Sequence, residues 1–319
     1  MLRRFLPLAQ KTSICEYRAA MKTRPECVPC LIDDVVGAVT LLTQDDSEKE
    51  RVIRACLAYL GKDFSTAREP SAFITGLHRI VKHELGLEMP FREKREACNR
   101  VGLAIADWLK GELNGVPESQ RFQQLILWAI AGNMLDFRTV GTGYGFSVDA
   151  IRDMLAGCVE NGLAVDETDR IWRTIEGSER IVYVLDNVGE IALDALLIRF
   201  LVDRGHAVTA PLRGGPITSD AVLSDGEMVN LEATGARVIC AGPDTLGISF
   251  EEMSAELRHA LGEADLVLGK GQANFYVLSE HVGDLPCPAA CLLTTKCDFA
   301  AGYFGQKGKV NVAALLEAP

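Results

Sequence analysis

Five short apolar runs, at residues 181–185, 207–212, 237–241, 266–268 and 290–294, alternate with helix-like stretches at about 190–204, 219–234 and 251–263. Strand–helix alternation with short turns points to a parallel sheet whose two faces are covered by helices. Parallel strands end together, so whatever follows each run is delivered to one edge, and open α/β sheets bind their ligands there. The tail at residues 310–315 reads as an added edge strand.

Before Ser178 the pattern is helical and carries no strand signal of any strength. Leu31, Val35, Val36, Val39 and Leu42 recur at helical spacing, as do Ile53, Cys56, Leu57 and Leu60 ahead of a C-capping Gly61. Further helices are expected from Ala72 to Leu85 with Gly86 as the stop, from Pro90 to Leu109, from Phe122 to Ile130, and over residues 147–158 and 167–175. Residues 1–20 read as a loosely attached extension, since Pro7 and Gln10-Lys11 interrupt the apolar start too early for a secretory segment. The expected organisation is that extension, a helical domain over 21–178 and an α/β domain over 179–319. The second is a Rossmann-like three-layer α/β/α unit with a mostly parallel sheet, on which the helical domain packs.

Of the 319 residues, 48% are hydrophobic and 24% charged, enough apolar material for a sizeable core. The net charge of −11 argues against a general nucleic-acid binder. No apolar run is long enough to span a membrane, and a cytoplasmic setting is expected. The ten cysteines are then expected as thiols rather than disulfides. Only Cys27-Val28-Pro29-Cys30 has a motif spacing; with Cys287 and Cys291 it reads as a zinc site, or all four read as separate thiols.

Chemistry concentrates where the strands end. Asp186-Asn187-Val188-Gly189-Glu190 follows the first run and turns into a helix. A carboxylate beside a carboxamide offers hard oxygen donors suited to Mg²⁺ or Mn²⁺, or else the two serve as helix caps. The segment from Arg213 to Asp220 follows the second run and brings Asp220 to the same edge, again as an oxygen ligand or a cap. Gly269-Lys270-Gly271 after the fourth run reads as an anion cradle or as a tight turn with a solvated lysine. Lys296, after the fifth, is a second rim cation or simply solvent-facing. In the helical half, Asn133 and Asp136 line a cleft or, as the local sequence favours, form a helix-ending turn.

Together these elements resemble the metal-dependent damage-control phosphatase family, long known as a domain of unknown function and related to acidic-residue methyltransferase-like proteins. Five motifs carry the resemblance in order: Gly132-Asn133-x-x-Asp136-Phe137, Asp186-Asn187-x-Gly189-Glu190 with Asp194, Pro216 through Asp220 to Asp225, Lys270-Gly271-Gln272-x-Asn274-Phe275, and Lys296-Cys297. The N-terminal Cys27-x-x-Cys30 is similar to that of the stand-alone microbial branch. Glu88-Met89-Pro90-Phe91 and Ser219 depart from the usual pattern.

The resemblance implies a divalent cation (Mn²⁺, Co²⁺, Ni²⁺ or Mg²⁺) held by Asp186, Asn187 and Asp220. It also implies hydrolysis of a small phosphorylated metabolite, with Lys270 at the phosphate. Glu190 and Asp194 are the expected helpers of a metal-activated water. Asn133, Asp136, Arg213, Gly271, Asn274 and Lys296 complete the expected substrate contacts. Direct attack by Asp186 would need an acid two residues on, where Val188 stands. The competing readings are protein carboxyl methylation and a non-catalytic metal or redox module built on Cys27 and Cys30.

Overall fold

The computed structural model describes residues 21–137 and 148–317; the expected extension and the first residue of the helix expected from 147 lie outside them. The helical half comprises α1 (Cys27–Leu42), α2 (Asp46–Asp63), α3 (Pro70–Leu85), α4 (Arg92–Glu112), α5 (Glu118–Ala131) and α6 (Val148–Glu160). Then come β1 (Val165–Asp166), α7 (Thr168–Glu176), β2 (Arg180–Val184), α8 (Glu190–Asp203), β3 (Ala207–Leu212), α9 (Leu223–Met228) and β4 (Arg237–Cys240). The chain continues through α10 (Ala255–Gly262), β5 (Leu266–Lys270), α11 (Gly271–His281), β6 (Ala289–Thr294), α12 (Asp298–Tyr303) and β7 (Asn311–Leu316).

One seven-stranded sheet has the order β1-β7-β6-β5-β2-β3-β4, parallel except for the β6–β7 pair. From β2 the chain crosses outward through α8 to β3, and from β5 it crosses the other way through α11 to β6. The neighbours β2 and β5 therefore flank a topological switch point, with Val184 paired to Gly269 near their carboxyl ends.

Both sheet faces are covered. On one, α8 is wedged between the strands and helices α4 and α5, which is why it is apolar almost all round. On the other, α10, α11 and α12 bury Leu257, Phe275 and Ala300. Helices α1 to α3 close a smaller core around Leu31, Val52, Phe73 and Leu77, and α3 also meets α11. Among the described residues no helix is long and apolar enough to cross a membrane.

Several expectations shift for physical reasons. Gly61 does not stop α2, which runs on to Asp63 and ends where the Phe64 ring packs 5.6 Å from that of Phe73. Gly86 does stop α3, at φ 63°. α4 begins at Arg92, after Phe91 in a left-handed conformation with its ring 5.3 Å from Phe137. The helix expected over 219–234 is shorter and broken, because backbone around Ser219 and Ala221 is spent on Val188 and Asp186 instead. α10 starts at Ala255 since the Ser254 hydroxyl accepts the Leu257 N–H. Finally, β7 is not an edge strand: the short β1, unexpected from sequence, pairs outside it.

Candidate active site

Asp186 and Asn187 leave the carboxyl end of β2 in a loop stitched to the loop after β3. The Val188 N–H donates to Ser219 O at 2.9 Å, Ala221 N–H donates to Asp186 O at 2.7 Å, and Asn187 forms a β-bridge with Asp220. That stitching brings Asp186, Asn187 and Asp220 together, as the sequence suggested, and makes Asp220 a bridge residue rather than a helix cap.

Two glycines make room. Gly189 opens α8 at φ 76° against the Cys98 carbonyl of α4, and its N–H donates to Asn99 Oδ1 at 2.8 Å. Gly271 has φ 75°, and a Cβ there would lie 1.7 Å from Asp186 Oδ2. No L side chain fits at Gly271 without expelling that carboxylate.

All the charged groups here are buried or nearly so. Lys270 is fully buried at the end of β5 and spends its ammonium on Ala129 O at 2.8 Å, on Glu190 Oε1 and on Asp194 Oδ1 at 3.0 Å. It is therefore not the solvated lysine or open phosphate cradle expected from sequence. All three of its protons are taken by groups beneath the site. Arg213, also fully buried, donates to Leu185 O and Asp220 Oδ2, both at 2.8 Å. Asn274 receives Ile248 N–H and donates to Leu185 O and Lys270 O. Both brace loops from within instead of facing a substrate.

Asn133 does reach the site, from the 3-10 turn that follows α5. Its Nδ2 donates to Asp186 Oδ2 at 3.1 Å and Glu190 Oε2 at 3.0 Å. Asn187 Nδ2 donates to the same two carboxylates, at 2.7 and 3.1 Å, while its Oδ1 accepts the Ser219 hydroxyl. Asp136 sits 2.9 Å from Lys296 Nζ, and Lys296 is half-buried at the rim.

Among the described residues, five acids (Asp136, Asp186, Glu190, Asp194, Asp220) thus face three cations (Arg213, Lys270, Lys296). Asp186 alone of the five has no cation at ion-pair distance among the described residues. Burial pushes its carboxyl well up, Glu190 and Asp220 push it further, and Lys296 and Arg213 offset this only in part. Fully ionised, the set carries two surplus negative charges, which one divalent cation would balance.

The oxygens that a cation could use here are those of Asp186 and of Asp220, whose Oδ1 is only lightly used by Thr218 at 3.2 Å, and that of Asn187 if its amide turned over. Such oxygens suit a hard or borderline cation. Among the described residues no group of three or more His, Cys, Asp or Glu side chains is arranged as a metal cage. The four-cysteine zinc site does not form either. Cys291 is buried within β6, whereas the Cys30 thiol neighbours Cys27 and Cys297.

Sequence reasoning missed the floor of the site. From α4, Arg95 donates to Thr218 O at 2.8 Å and Asp220 O at 2.7 Å and pairs with Asp225; Asn99 Nδ2 donates to Asp225 Oδ1 at 2.8 Å. Arg95 and Asn99 are four apart among Cys98, Gly102, Ile105 and Ala106, and two polar residues on an otherwise apolar helix face were the available signal. Tyr183, whose hydroxyl donates to Asp194 Oδ1 at 2.8 Å, was hidden inside a strand.

Asp194 is pushed from 3.8 up to about 7, first by burial and also by Glu190, with Lys270 and Tyr183 pulling the other way. Between those values the folded chain keeps a proton that the unfolded chain releases, so this group's contribution to stability falls as pH rises across the window. Melting temperatures in EDTA should show it: Asp194→Asn removes part of the decline, and the difference between the two profiles isolates the residue. Wild type losing stability relative to Asp194→Asn as pH falls would mean instead that Asp194 is held ionised.

The sequence signature of the damage-control phosphatase ARMT1-like domain matches residues 23–311. A damage-control phosphatase of Archaeoglobus fulgidus is 32% identical over 297 residues, covering 93% of this chain and 100% of the relative. A damage-control phosphatase of Pyrococcus horikoshii is 28% identical over 261 residues, covering 82% and 87%. The crystal structure of a DUF89 family protein from P. horikoshii superposes with a TM-score of 0.82 at 25% identity, over 94% of this chain and 100% of that one. The chain therefore belongs to the damage-control phosphatase ARMT1-like domain family.

Proposed function

We propose that this chain is a divalent-metal-dependent phosphatase of small phosphorylated metabolites, such as sugar phosphates, nucleotides or damaged phosphometabolites. The observation that carries this reading is Asp186: a buried carboxylate at a sheet switch point, next to Glu190 and Asp220, with no cation at ion-pair distance among the described residues. A cation held by Asp186, Asn187 and Asp220 would polarise a phosphoryl oxygen and make water a better nucleophile at neutral pH.

The chain's own residues do the rest. Lys296, half-buried and held by Asp136, is the ammonium best placed to meet a phosphate dianion. Its charge survives burial because Asp136 and Asp186 favour the protonated form. Glu190 accepts from Asn133 and Asn187 on one oxygen and pairs with Lys270 on the other, so it anchors the Asn133 amide that also donates to Asp186. Arg213 and Gly247 N–H hold Asp220 Oδ2. Water is the nucleophile in this reading, since the position two residues after Asp186 is the apolar, fully buried Val188.

EDTA-treated protein should hydrolyse p-nitrophenyl phosphate and sugar phosphates only after Mn²⁺, Co²⁺, Ni²⁺ or Mg²⁺ is restored. A metal-by-substrate screen in which no cation revives turnover on any phosphomonoester would end this reading.

A further inference from the structure

Cys27 and Cys30 stand apart from every element of the site described so far. They occupy the first and fourth positions of α1, so their side chains share one face of its opening turn. That turn has no side-chain cap from Glu26; the Cys27 and Val28 N–H groups donate instead to Arg24 O at 2.9 Å and Pro25 O at 3.1 Å. Cys30 is exposed and Cys27 half-buried.

The opening turn of α1 rests against the start of α12. The Arg24 guanidinium lies 3.9 Å from the centroid of the Phe299 ring, and the Arg24 N–H points at Cys27 Sγ from 3.5 Å. A third thiol, Cys297, immediately precedes α12 and is half-buried. It lies near enough to Cys30 and to the Tyr276 hydroxyl to raise the pKa of both.

From there a short chain of contacts runs into the active site. Gln272 Nε2 donates to the Tyr276 hydroxyl, and Gln272 Oε1 accepts the backbone N–H of Lys296 at 2.6 Å. Lys296 is covalently next to Cys297 and forms the ion pair with Asp136. Three thiols that are not arranged as a metal cage thus abut the segment carrying the rim cation.

We infer that Cys27 and Cys30 form an oxidisable dithiol, and that closing it displaces Cys297 and with it Lys296. The second half rests on the reading of Lys296 as a phosphate-binding residue; the first does not. With hydrogen peroxide as oxidant, one thiolate attacks a peroxide oxygen, the O–O bond breaks and hydroxide leaves to be protonated. The other thiol then attacks the sulfenic sulfur, the S–O bond breaks and a second water departs. Two thiols and one peroxide yield one disulfide and two waters.

The surroundings set the tempo. Partial desolvation against the neighbouring chain, with the two other thiols, Asp33 and Asp34, keeps the exposed Cys30 protonated beyond the ordinary thiol range. A protonated thiol attacks slowly, and a thiol of high pKa is also a poor leaving group, so the bond forms slowly at neutral pH and is slow to be reduced once made. Oxidation should accelerate as pH rises.

The test uses full-length protein, reduced and then exposed to hydrogen peroxide at neutral and alkaline pH, with free and oxidised thiols mapped by differential alkylation and mass spectrometry. The expected result is loss of one hydrogen from each of Cys27 and Cys30, faster at alkaline pH and absent in Cys30→Ser. Finding Cys27 and Cys30 still alkylatable while other cysteines oxidise would overturn the dithiol. So would stoichiometric zinc in the purified reduced protein that is lost in Cys30→Ser.

For the coupling, KM for p-nitrophenyl phosphate should rise about three- to tenfold on oxidation with a smaller change in kcat, the split expected when a binding cation is displaced. Cys30→Ser should keep the reduced enzyme's constants under peroxide. A closed disulfide with unchanged KM would refute the link to Lys296. The thiol map needs no phosphatase assay, so the dithiol and the proposed activity fail separately.

Discussion

Asp186→Ala removes metal-dependent turnover, by about 1,000-fold or more, a loss of at least ~4 kcal/mol of transition-state stabilisation. The same variant in EDTA should unfold at nearly the wild-type temperature. In the metal-free chain the Asp186 carboxylate is desolvated and crowded by Glu190 and Asp220, with the amides of Asn133 and Asn187 as hydrogen-bond donors and Lys296 and Arg213 offsetting its charge only in part. Losing those two hydrogen bonds costs about 1 kcal/mol each, but ending the confinement of a carboxylate that lacks an ion-pair partner among the described residues recovers a similar amount.

Wild type should gain stability on adding Mn²⁺, by about 2.7 kcal/mol at a hundredfold excess over Kd, and Asp186→Ala should gain almost none. The two scans read the residue's role without any substrate. A variant that keeps most of its turnover at saturating Mn²⁺, or melts higher with metal just as wild type does, would remove Asp186 from the cation site.

The sheet and the edge that carries the site were legible because a buried parallel strand leaves an unbroken apolar run, and the turn after it shows its polar and glycine residues. What lay further from that edge was harder to read. Strand β1 is only Val165–Asp166, too short to show a period, so β7 looked like an edge. Helix α11 follows β5 with no intervening loop and buries Phe275, Tyr276, Val277 and Leu278 in succession, which blurs a helical stripe.

The direction of Lys270 was illegible for the same reason. β5 is buried along its whole length, so strand alternation did not say which layer receives the ammonium. Asn133 and Asp136 looked like a helix-ending turn and are one, and only the docking of α5 against α8 turns Asn133 toward Asp186 and Glu190. The Arg95 and Asn99 brackets depend on the same tertiary fact, that α4 underlies both loops.

Lys270→Ala should lower stability by about 3–5 kcal/mol, the usual cost of removing one partner from a buried charge cluster. Glu190 and Asp194 are fully buried, Asp194 Oδ2 already lacks a hydrogen-bond partner, and without the ammonium both carboxylates face a low-dielectric interior with only amide and hydroxyl donors. Activity should fall as well, through Glu190: once released it no longer anchors the Asn133 amide against Asp186, so the Mn²⁺ midpoint should move along with kcat. A lysine that contacted only phosphate would lower kcat and leave both stability and the metal midpoint alone.

Adding Asp194→Asn to Lys270→Ala distinguishes these roles further. Neutralising one of the stranded carboxylates should restore a good part of the lost stability, a coupling that additive, independent sites would not show. Turnover should stay low, because Glu190 is still without its cation. If Lys270→Ala melts like wild type, the buried triad is not what holds Glu190 in place, and the floor of the site is organised by α4 and Asn133 without it.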